Sequence, residues 1–248
     1  MIGLFDSGSG GLSVLTALRK RAPNADVVYF GDIANAPYGI RTPDDLKALT
    51  EKGVRLLLDT GATEIVSACN SVSYSVLAGA AHDARVIEMT RPTAHMMRAH
   101  AGKCMLLIAT PATIAARIYK DALGVTVILD ELSIPELAGA IELGAPEGEL
   151  KRIVRNAFRL REGNRYDGII LGCTHYPLVR NVIEECAKEA FGNTEIIDPA
   201  VAVAEDAVQR FDVSGSGTVR FLLSKDSQVF RNRINELFPD GRYTIETI

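Results

Sequence analysis

The stretch that decides the fold is GIILGCTH, residues 168–175. Its apolar part is short and uninterrupted, which is typical of a strand buried on both faces of a parallel sheet. Cys173 follows the apolar run directly, so its thiol is placed at the carboxyl end of that strand. Ligands of open α/β sheets bind at this end. The sequence therefore predicts an α/β protein in which Cys173 faces a small substrate.

A second stretch, EIVSACNS at residues 64–71, repeats this design and presents Cys69 in the same way. A single free cysteine after a strand is commonly a buried structural residue. Two thiols in matched settings, each followed by two polar residues, favour a pair of acid/base groups instead. The other two cysteines fit structural roles, because Cys104 opens a strand and Cys186 lies on an apolar helix face.

The two halves of the chain keep the same register. Cys69 and Cys173 are 104 positions apart, and so are Asp6 and Thr110, each of which ends the first strand of its half. This repeat indicates duplication of a βα unit. We therefore predict two pseudo-symmetric α/β domains with mainly parallel sheets and an active site in the cleft between them.

The predicted first domain is discontinuous, with residues 1–92 plus 203–248, and the predicted second domain is residues 93–202. The tail repeats neither half, and its strand (219–223) and following helix are expected to cover the first domain. A strand is predicted at 125–129 and a helix that starts at Pro177. A helix of small residues is predicted after Cys69.

Composition limits the class of partner. Apolar residues make up 47% of the chain and charged residues 23%, which predicts a soluble globular protein. The formal net charge of −4 and the lack of a long Lys/Arg run argue against nucleic acid as a partner. Neither a membrane-spanning stretch nor a signal peptide is recognisable. Four cysteines without a disulfide pattern predict a cytoplasmic protein with reduced thiols.

The chemistry of the thiols agrees with a proton-transfer site. A cysteine titrates close enough to neutral pH to exchange a proton with a substrate carbon or to act as a nucleophile. His175, two residues after Cys173, could hold that thiol as a thiolate or relay its proton. A helix-capping role for His175 is the alternative. No second cluster with ligand spacing accompanies residues 173–175, so a metal site is not predicted.

The glycine-rich turn DSGSGG, residues 6–11, follows the first strand. Its backbone amides could hold a carboxylate or a phosphate. The glycine spacing does not fit the dinucleotide fingerprint, and the Gly-Lys-Ser/Thr of a Walker loop is missing. Asp6 could assist Cys69, or it could simply cap the helix that follows.

Five motifs in order resemble glutamate racemase, a family within the aspartate/glutamate racemase superfamily. They lie at residues 6–11, 37–39, 68–70, 109–113 and 172–178. Aspartate racemases share the two cysteines but usually carry glutamate after Cys-Thr, where this chain has His175. The resemblance implies an amino-acid racemase that needs neither pyridoxal phosphate nor metal and that supplies D-glutamate for peptidoglycan synthesis.

The same resemblance implies roles for individual residues. Cys69 would act on D-glutamate with help from Asp6, and Cys173 would act on L-glutamate with help from His175. Glu142 matches a family glutamate that supports the histidine. The residues expected to hold the substrate are Asp6, Ser7, Pro37, Tyr38, Gly39, Asn70, Ser71, Thr110, Thr113, Thr174 and His175. Among them, Tyr38 and Gly39 would lie near the side-chain carboxylate.

Two departures from the family pattern concern the choice of substrate. Ser71 stands where the family usually has threonine, and Asp198-Pro199 replaces aspartate followed by a small polar residue. The alternatives are a relative that acts on aspartate, another amino acid or a hydantoin, and a non-catalytic binding protein on the same fold. A small-molecule substrate is the predicted partner, and a homodimer is possible.

Overall fold

The computed structural model describes residues 1–79 and 85–248, and all the strand pairs in these ranges are parallel. The strands form two sheets. Numbered in chain order, the strands of the larger sheet are β1 (Ile2–Asp6), β2 (Val27–Gly31), β3 (Glu64–Ser67), β4 (Arg85–Ile87), β9 (Val219–Leu223) and β10 (Tyr243–Thr247). Those of the smaller sheet are β5 (Cys104–Ala109), β6 (Ile128–Ser133), β7 (Gly168–Gly172) and β8 (Glu195–Ile197).

The two sheets share one topology. The larger sheet has the order β10-β9-β2-β1-β3-β4, and the smaller sheet has the order β6-β5-β7-β8. The segment β2-β1-β3-β4 therefore corresponds strand for strand to the whole smaller sheet. Cys69 follows β3 and Cys173 follows β7, so the two thiols occupy equivalent places. The predicted α/β class and its pseudo-symmetry are confirmed.

Helices lie on both faces of each sheet. Those that connect the strands up to β5 are α1 (Leu12–Arg21), α2 (Pro43–Asp59), α3 (Ser73–Leu77) and α4 (Thr90–Met97). The later ones are α5 (Pro111–Ala115), α6 (Ile118–Leu123), α7 (Leu137–Glu142), α8 (Glu147–Arg159), α9 (Arg180–Phe191), α10 (Pro199–Arg210) and α11 (Gln228–Leu237). The predicted starts of α2 and α5 are confirmed, because Thr42 and Thr110 accept backbone N–H bonds as caps and proline follows each of them.

Each sheet is buried on both sides, which explains why its central strands are apolar without alternation. Leu4 and Val66 face the core below α1 and α10, whereas Phe5 and Ile65 face α2 on the other side. Burying one such side chain fully is worth about 1.5–3 kcal/mol. In the described part of the chain, none of the helices combines the length and apolar character that a membrane crossing requires.

The tail extends the larger sheet, as β9 pairs with β2 and β10 pairs with β9. The helix α11 then lies over this part of the sheet, and the ring of Phe230 contacts those of Tyr29 and Phe221. The tail strand and helix were predicted; β10 was not, since its residues are half-buried or exposed at the sheet edge.

Two boundaries predicted from the sequence are wrong. Residues 124–127 turn back on the end of α6, with the amides of Thr126 and Val127 bonded to Leu123 O, so β6 starts only at Ile128 and runs to Ser133. Pro177 begins no α-helix. It lies in a 3-10 turn, Tyr176–Val179, and α9 starts after it at Arg180.

The reason for the second difference is local. Tyr176 is fully buried and donates from its hydroxyl to Ile134 O over 3.3 Å, while Val179 leaves helical geometry at φ −125°. The helix of small residues predicted after Cys69 is present as α3. The prediction also included residues 80–84, which lie outside the described ranges.

Candidate active site

The polar residues that follow four central strands meet between the two sheets. Asp6 ends β1, Cys69 follows β3, Thr110 follows β5 and Cys173 follows β7. The thiol-bearing residues are almost fully buried, with 4% of Cys69 and 5% of Cys173 exposed. The strands that precede the two thiols hold equivalent places in the two sheets, and the charge of Cys173 acts on Cys69, so both thiols lie at the interface between the sheets.

Asp6 connects the two halves. Its Oδ1 accepts a hydrogen bond from the Gly8 amide over 2.9 Å, and its Oδ2 accepts one from the Thr174 hydroxyl over 3.0 Å. Ser13 adds a second link, because its hydroxyl donates to Thr174 O over 3.1 Å. The side chain of Asp6 is therefore fixed beside the residue that follows Cys173.

Cys69 has the surroundings of a protonated thiol. Burial raises its pKa to about 12, and the charges of Asp6 and Cys173 act in the same direction. The Ser7 hydroxyl, 3.7 Å from Cys69 Sγ, opposes this shift as a hydrogen-bond partner. At neutral pH, Cys69 is therefore a thiol.

Cys173 faces a different partner. Its Sγ lies 3.9 Å from Nδ1 of His175, and Nε2 of His175 lies 2.7 Å from Oε2 of Glu142. Burial alone would lower the pKa of His175, but its hydrogen bonds with Cys173 and Glu142 raise that pKa well above its ordinary value. His175 is therefore cationic at neutral pH.

Glu142 is held on several sides. Its Oε2 accepts from the Ser9 amide over 3.0 Å and from the Ser9 hydroxyl over 2.6 Å. Burial would raise the pKa of Glu142, but the bonds from His175 and Ser9 hold it below its ordinary value. A methyl group at Gly8 would lie 2.8 Å from the Glu142 carboxylate, so the turn needs glycine there.

A chain of hydroxyl groups lies on the other side of Cys69. Ser71 Oγ is 3.1 Å from Thr110 Oγ1, which is 3.0 Å from Thr113 Oγ1. Gly39 packs against Thr110, and a Cβ at that position would come within 2.5 Å of Thr110 Cβ. Because the hydroxyl groups come from both halves of the molecule, they could bind one small polar ligand together.

Asn70 offers an unused donor. Its Oδ1 accepts from the Tyr119 hydroxyl over 2.5 Å, which fixes the orientation of the amide. Its Nδ2 is buried and has no hydrogen-bond partner among the described residues. A buried donor without a partner is costly, so Nδ2 is well suited to a ligand oxygen.

Tyr38 is also buried, but its hydroxyl already has a partner, donating to Asp32 Oδ2 over 2.6 Å. Burial, followed by the bond to Asp32, raises the pKa of Tyr38, so it stays neutral. Half-buried Pro37 precedes it.

The contacts form two groups around the thiols: one contains Asp6, Glu142, Cys173, Thr174 and His175, and the other contains Gly39, Ser71, Thr110 and Thr113. Sequence reasoning missed Ser9, Asp32, Tyr119 and Arg233. Ser9 stands inside the glycine-rich turn and could have been noticed there, whereas the others carry no signal in the sequence. Within residues 1–79 and 85–248, no three His, Cys, Asp or Glu side chains converge as metal ligands would.

Comparison with known proteins identifies the family of the chain. The profile of a family described as Asp/Glu/Hydantoin racemase matches residues 12–207. A protein named glutamate racemase 3, from Caldanaerobacter subterraneus subsp. tengcongensis, is 35% identical over 240 residues. That match covers 92% of this chain and 87% of the relative.

Two solved structures share the fold. Glutamate racemase isoform RacE1 from Bacillus anthracis superposes with a TM-score of 0.86 at 23% identity, covering 100% of this chain and 97% of that one. Glutamate racemase from Francisella tularensis, solved in complex with D-glutamate, superposes with a TM-score of 0.83 at 23% identity, with coverage of 100% and 96%.

Proposed function

The chain belongs to the Asp/Glu/hydantoin racemase family, and we propose that it is a glutamate racemase, an isomerase that interconverts L- and D-glutamate without a cofactor. The observation that carries the proposal is the pair of buried thiols, Cys69 and Cys173, at the ends of equivalent strands. Family membership supports an amino acid as substrate. The D-glutamate formed would supply peptidoglycan precursors.

The proposed reaction uses one thiol on each face of the substrate. With L-glutamate bound, the Cys173 thiolate removes the α-proton, so that the Cα–H bond breaks and an S–H bond forms. The electron pair left on Cα is delocalised into the α-carboxylate. Cys69 then donates its S–H proton to the opposite face, which gives D-glutamate and leaves a thiolate on Cys69. The raised pKa of Cys69 supports its role as the proton donor in this direction.

The helpers of the two thiols differ. Cationic His175 stabilises negative charge on Cys173, and Glu142 in turn stabilises the cation. Asp6 raises the pKa of Cys69 through its charge and thus favours the protonated form. Starting from D-glutamate, the roles are exchanged, and Cys69 removes the proton while Cys173 returns it.

The substrate would be held by neutral donors. Nδ2 of Asn70 is available, and we assign the hydroxyl groups of Ser7, Ser71, Thr110, Thr113 and Thr174 to the substrate as well. Such groups bind amino and carboxylate groups without bringing a competing ionisable proton. We assign Tyr38 and Gly39 to the part of the site that holds the side-chain carboxylate. Because the Tyr38 hydroxyl donates to Asp32, Tyr38 would contact the substrate there by packing and not by a hydrogen bond.

The test is a chiral assay of the purified protein in deuterated water without added cofactor. We expect each glutamate enantiomer to be inverted and to gain deuterium at Cα. Inversion of aspartate or a hydantoin alone would assign the chain to another branch of the family. If none of these compounds is inverted or exchanged, the chain is a binding protein on this fold and the proposal is wrong.

A further inference from the structure

A guanidinium group from the C-terminal tail reaches the site. Arg233 lies on α11, and its side chain is 17% exposed. Its Nη1 donates to Ser9 Oγ and its Nη2 donates to Ile141 O. Nη1 is also 3.8 Å from Oε2 of Glu142. The tail therefore brings a positive charge next to the carboxylate that supports His175.

The direction of each hydrogen bond follows from the groups involved. A guanidinium has donors only, so Ser9 Oγ must accept from Arg233. The single hydroxyl proton of Ser9 is then free to point towards Oε2 of Glu142, which is 2.6 Å away. Ser9 is thereby held in the orientation in which it donates to the carboxylate.

The same logic extends to His175. An ionised carboxylate only accepts, so Nε2 of His175 carries the proton that is shared with Glu142. Nδ1 is the nitrogen that faces Cys173 Sγ, at 3.9 Å. A fixed and ionised Glu142 thus determines which nitrogen of His175 is presented to the thiol.

We propose that Arg233 is a positioning residue which, through Ser9, holds the Glu142 carboxylate ionised and directed at Nε2 of His175. The catalytic consequence of this role rests on the proposed racemase function, whereas the electrostatic effect of Arg233 on Glu142 does not.

The charged and titratable groups around Arg233, Glu142 and His175 come from several elements. Glu142, Glu236 and Tyr29 act on Arg233, and Glu142 and Cys173 act on His175.

The direct test measures the titration of Glu142 by NMR of ¹³C-carboxyl-labelled glutamate residues, with the resonance assigned by its loss in Glu142→Gln. Removing the charge in Arg233→Gln should raise the midpoint of Glu142 by about one pH unit. Arg233→Lys keeps the charge and should keep the midpoint. Arg231→Gln is the matched control, because Arg231 lies on the same helix but pairs with Asp226 at the surface.

Kinetics provide the second readout. In Arg233→Gln, the acid limb of the kcat profile should move to higher pH together with the Glu142 midpoint, while Glu142 stays ionised at neutral pH. KM should change little, since Arg233 is held by Ser9 and Ile141 and not by the residues assigned to the substrate. Packing alone would lower stability without moving the acid limb.

An unchanged Glu142 midpoint in Arg233→Gln would overturn the proposal, as would an equal shift in Arg233→Lys or Arg231→Gln. If Arg233→Gln does not fold, Arg233→Met replaces it, because methionine removes the charge and keeps the apolar part of the side chain, and an unchanged midpoint would again overturn the proposal. A wild-type protein that inverts neither glutamate enantiomer would refute the proposed function, but the NMR titration would still decide the role of Arg233.

Discussion

The hydroxyl of Thr174 donates to Oδ2 of Asp6 over 3.0 Å. Thr174 follows Cys173, and Asp6 ends β1, the strand next to the one that precedes Cys69, so this bond joins the two sheets. Both residues are buried, with Asp6 at 0% and Thr174 at 3% exposure. A buried carboxylate depends on its donors, so this bond stabilises the interface between the two sheets.

Replacing Thr174 with valine should therefore lower the free energy of unfolding. The change keeps the shape of the side chain and leaves Asp6 Oδ2 without this donor, which costs about 1–3 kcal/mol. Denaturant unfolding measures the effect. Thr244→Val, on the exposed face of β10, is the control and should change stability little. Equal stability of both variants would show that the bond contributes nothing.

A methyl group at Gly10 should damage the site itself. An added Cβ would lie 2.5 Å from Nδ1 of His175 and 2.6 Å from Thr174 Oγ1, so His175 must move away from Cys173. We expect Gly10→Ala to lower kcat at least about tenfold, because misplacing a catalytic group by about 1 Å can have a hundredfold effect.

The matched control is Gly148→Ala on α8, where a Cβ would meet nothing within 4 Å. Gly148 is exposed in the first turn of α8, so this variant should keep full activity and change stability by less than about 1 kcal/mol. Full activity of Gly10→Ala would mean that His175 needs no fixed position.

The two thiols should be separable by isotope exchange. Cys69→Ser and Cys173→Ser should each slow inversion by about 10²–10⁴-fold, since one proton-transfer group is lost. In deuterated water, Cys69→Ser retains the thiol assigned to L-glutamate and should still exchange the α-proton of that enantiomer. Cys173→Ser should exchange D-glutamate instead.

Cys104→Ser is the control for this pair, because Cys104 lies at the start of β5, away from the strand ends that carry the site. Its activity should equal that of the wild type. Normal inversion in either active-site variant would refute the mechanism with two thiols.

Tyr119 should control the affinity for substrate through Asn70. Tyr119→Phe removes the donor that fixes Oδ1 of Asn70, so Nδ2 is no longer held towards a ligand. Losing one such buried bond corresponds to about a tenfold rise in KM. Tyr166→Phe, a change on the outer side of the smaller sheet where the hydroxyl donates to Asp130, should leave KM unchanged. An unaltered KM in Tyr119→Phe would remove Asn70 from the binding site.

Glu142 gives a prediction for the dependence of stability on pH. Its pKa in the folded protein lies below the ordinary value of 4.5, so it stabilises the fold above that pH and loses the effect as the pH falls through the folded pKa. The stability difference between wild type and Glu142→Gln should therefore shrink as the pH is lowered from about 6 to about 3.

Denaturant unfolding at several pH values measures this difference. Glu149→Gln, an exposed change on α8, is the control and should change stability little. A difference for Glu142→Gln that grows in acid would contradict the sign of the shift.

The sequence predicted the strands and the thiols because their signals are local. Cys69 and Cys173 each follow an apolar run, and a strand that is buried on both faces needs such a run wherever it lies in the chain. The caps Thr42 and Thr110 are likewise readable, since each is followed by proline at the first helical position.

The features that the sequence did not predict depend on contacts between distant parts of the chain or on the position of an element in the fold. Residues 125–129 have the composition of a strand, but the amides of Thr126 and Val127 donate to the carbonyl of Leu123 at the end of α6. The residues of the edge strand β10 are half-buried or exposed, so its sequence shows no apolar pattern typical of a strand. Arg233 contacts Ser9 across 224 positions of sequence, a pairing that only the return of the tail over the larger sheet creates.

The burial of the two thiols has a consequence for their reactivity. Since Cys69 and Cys173 are only 4% and 5% exposed, we expect the groups around each thiol to move apart before a reagent or a dicarboxylate reaches it. The bonds that join the halves, such as those from Thr174 to Asp6 and from Tyr119 to Asn70, would have to break in such an opening. The rate at which a thiol reagent inactivates the protein therefore reports how often the two halves separate.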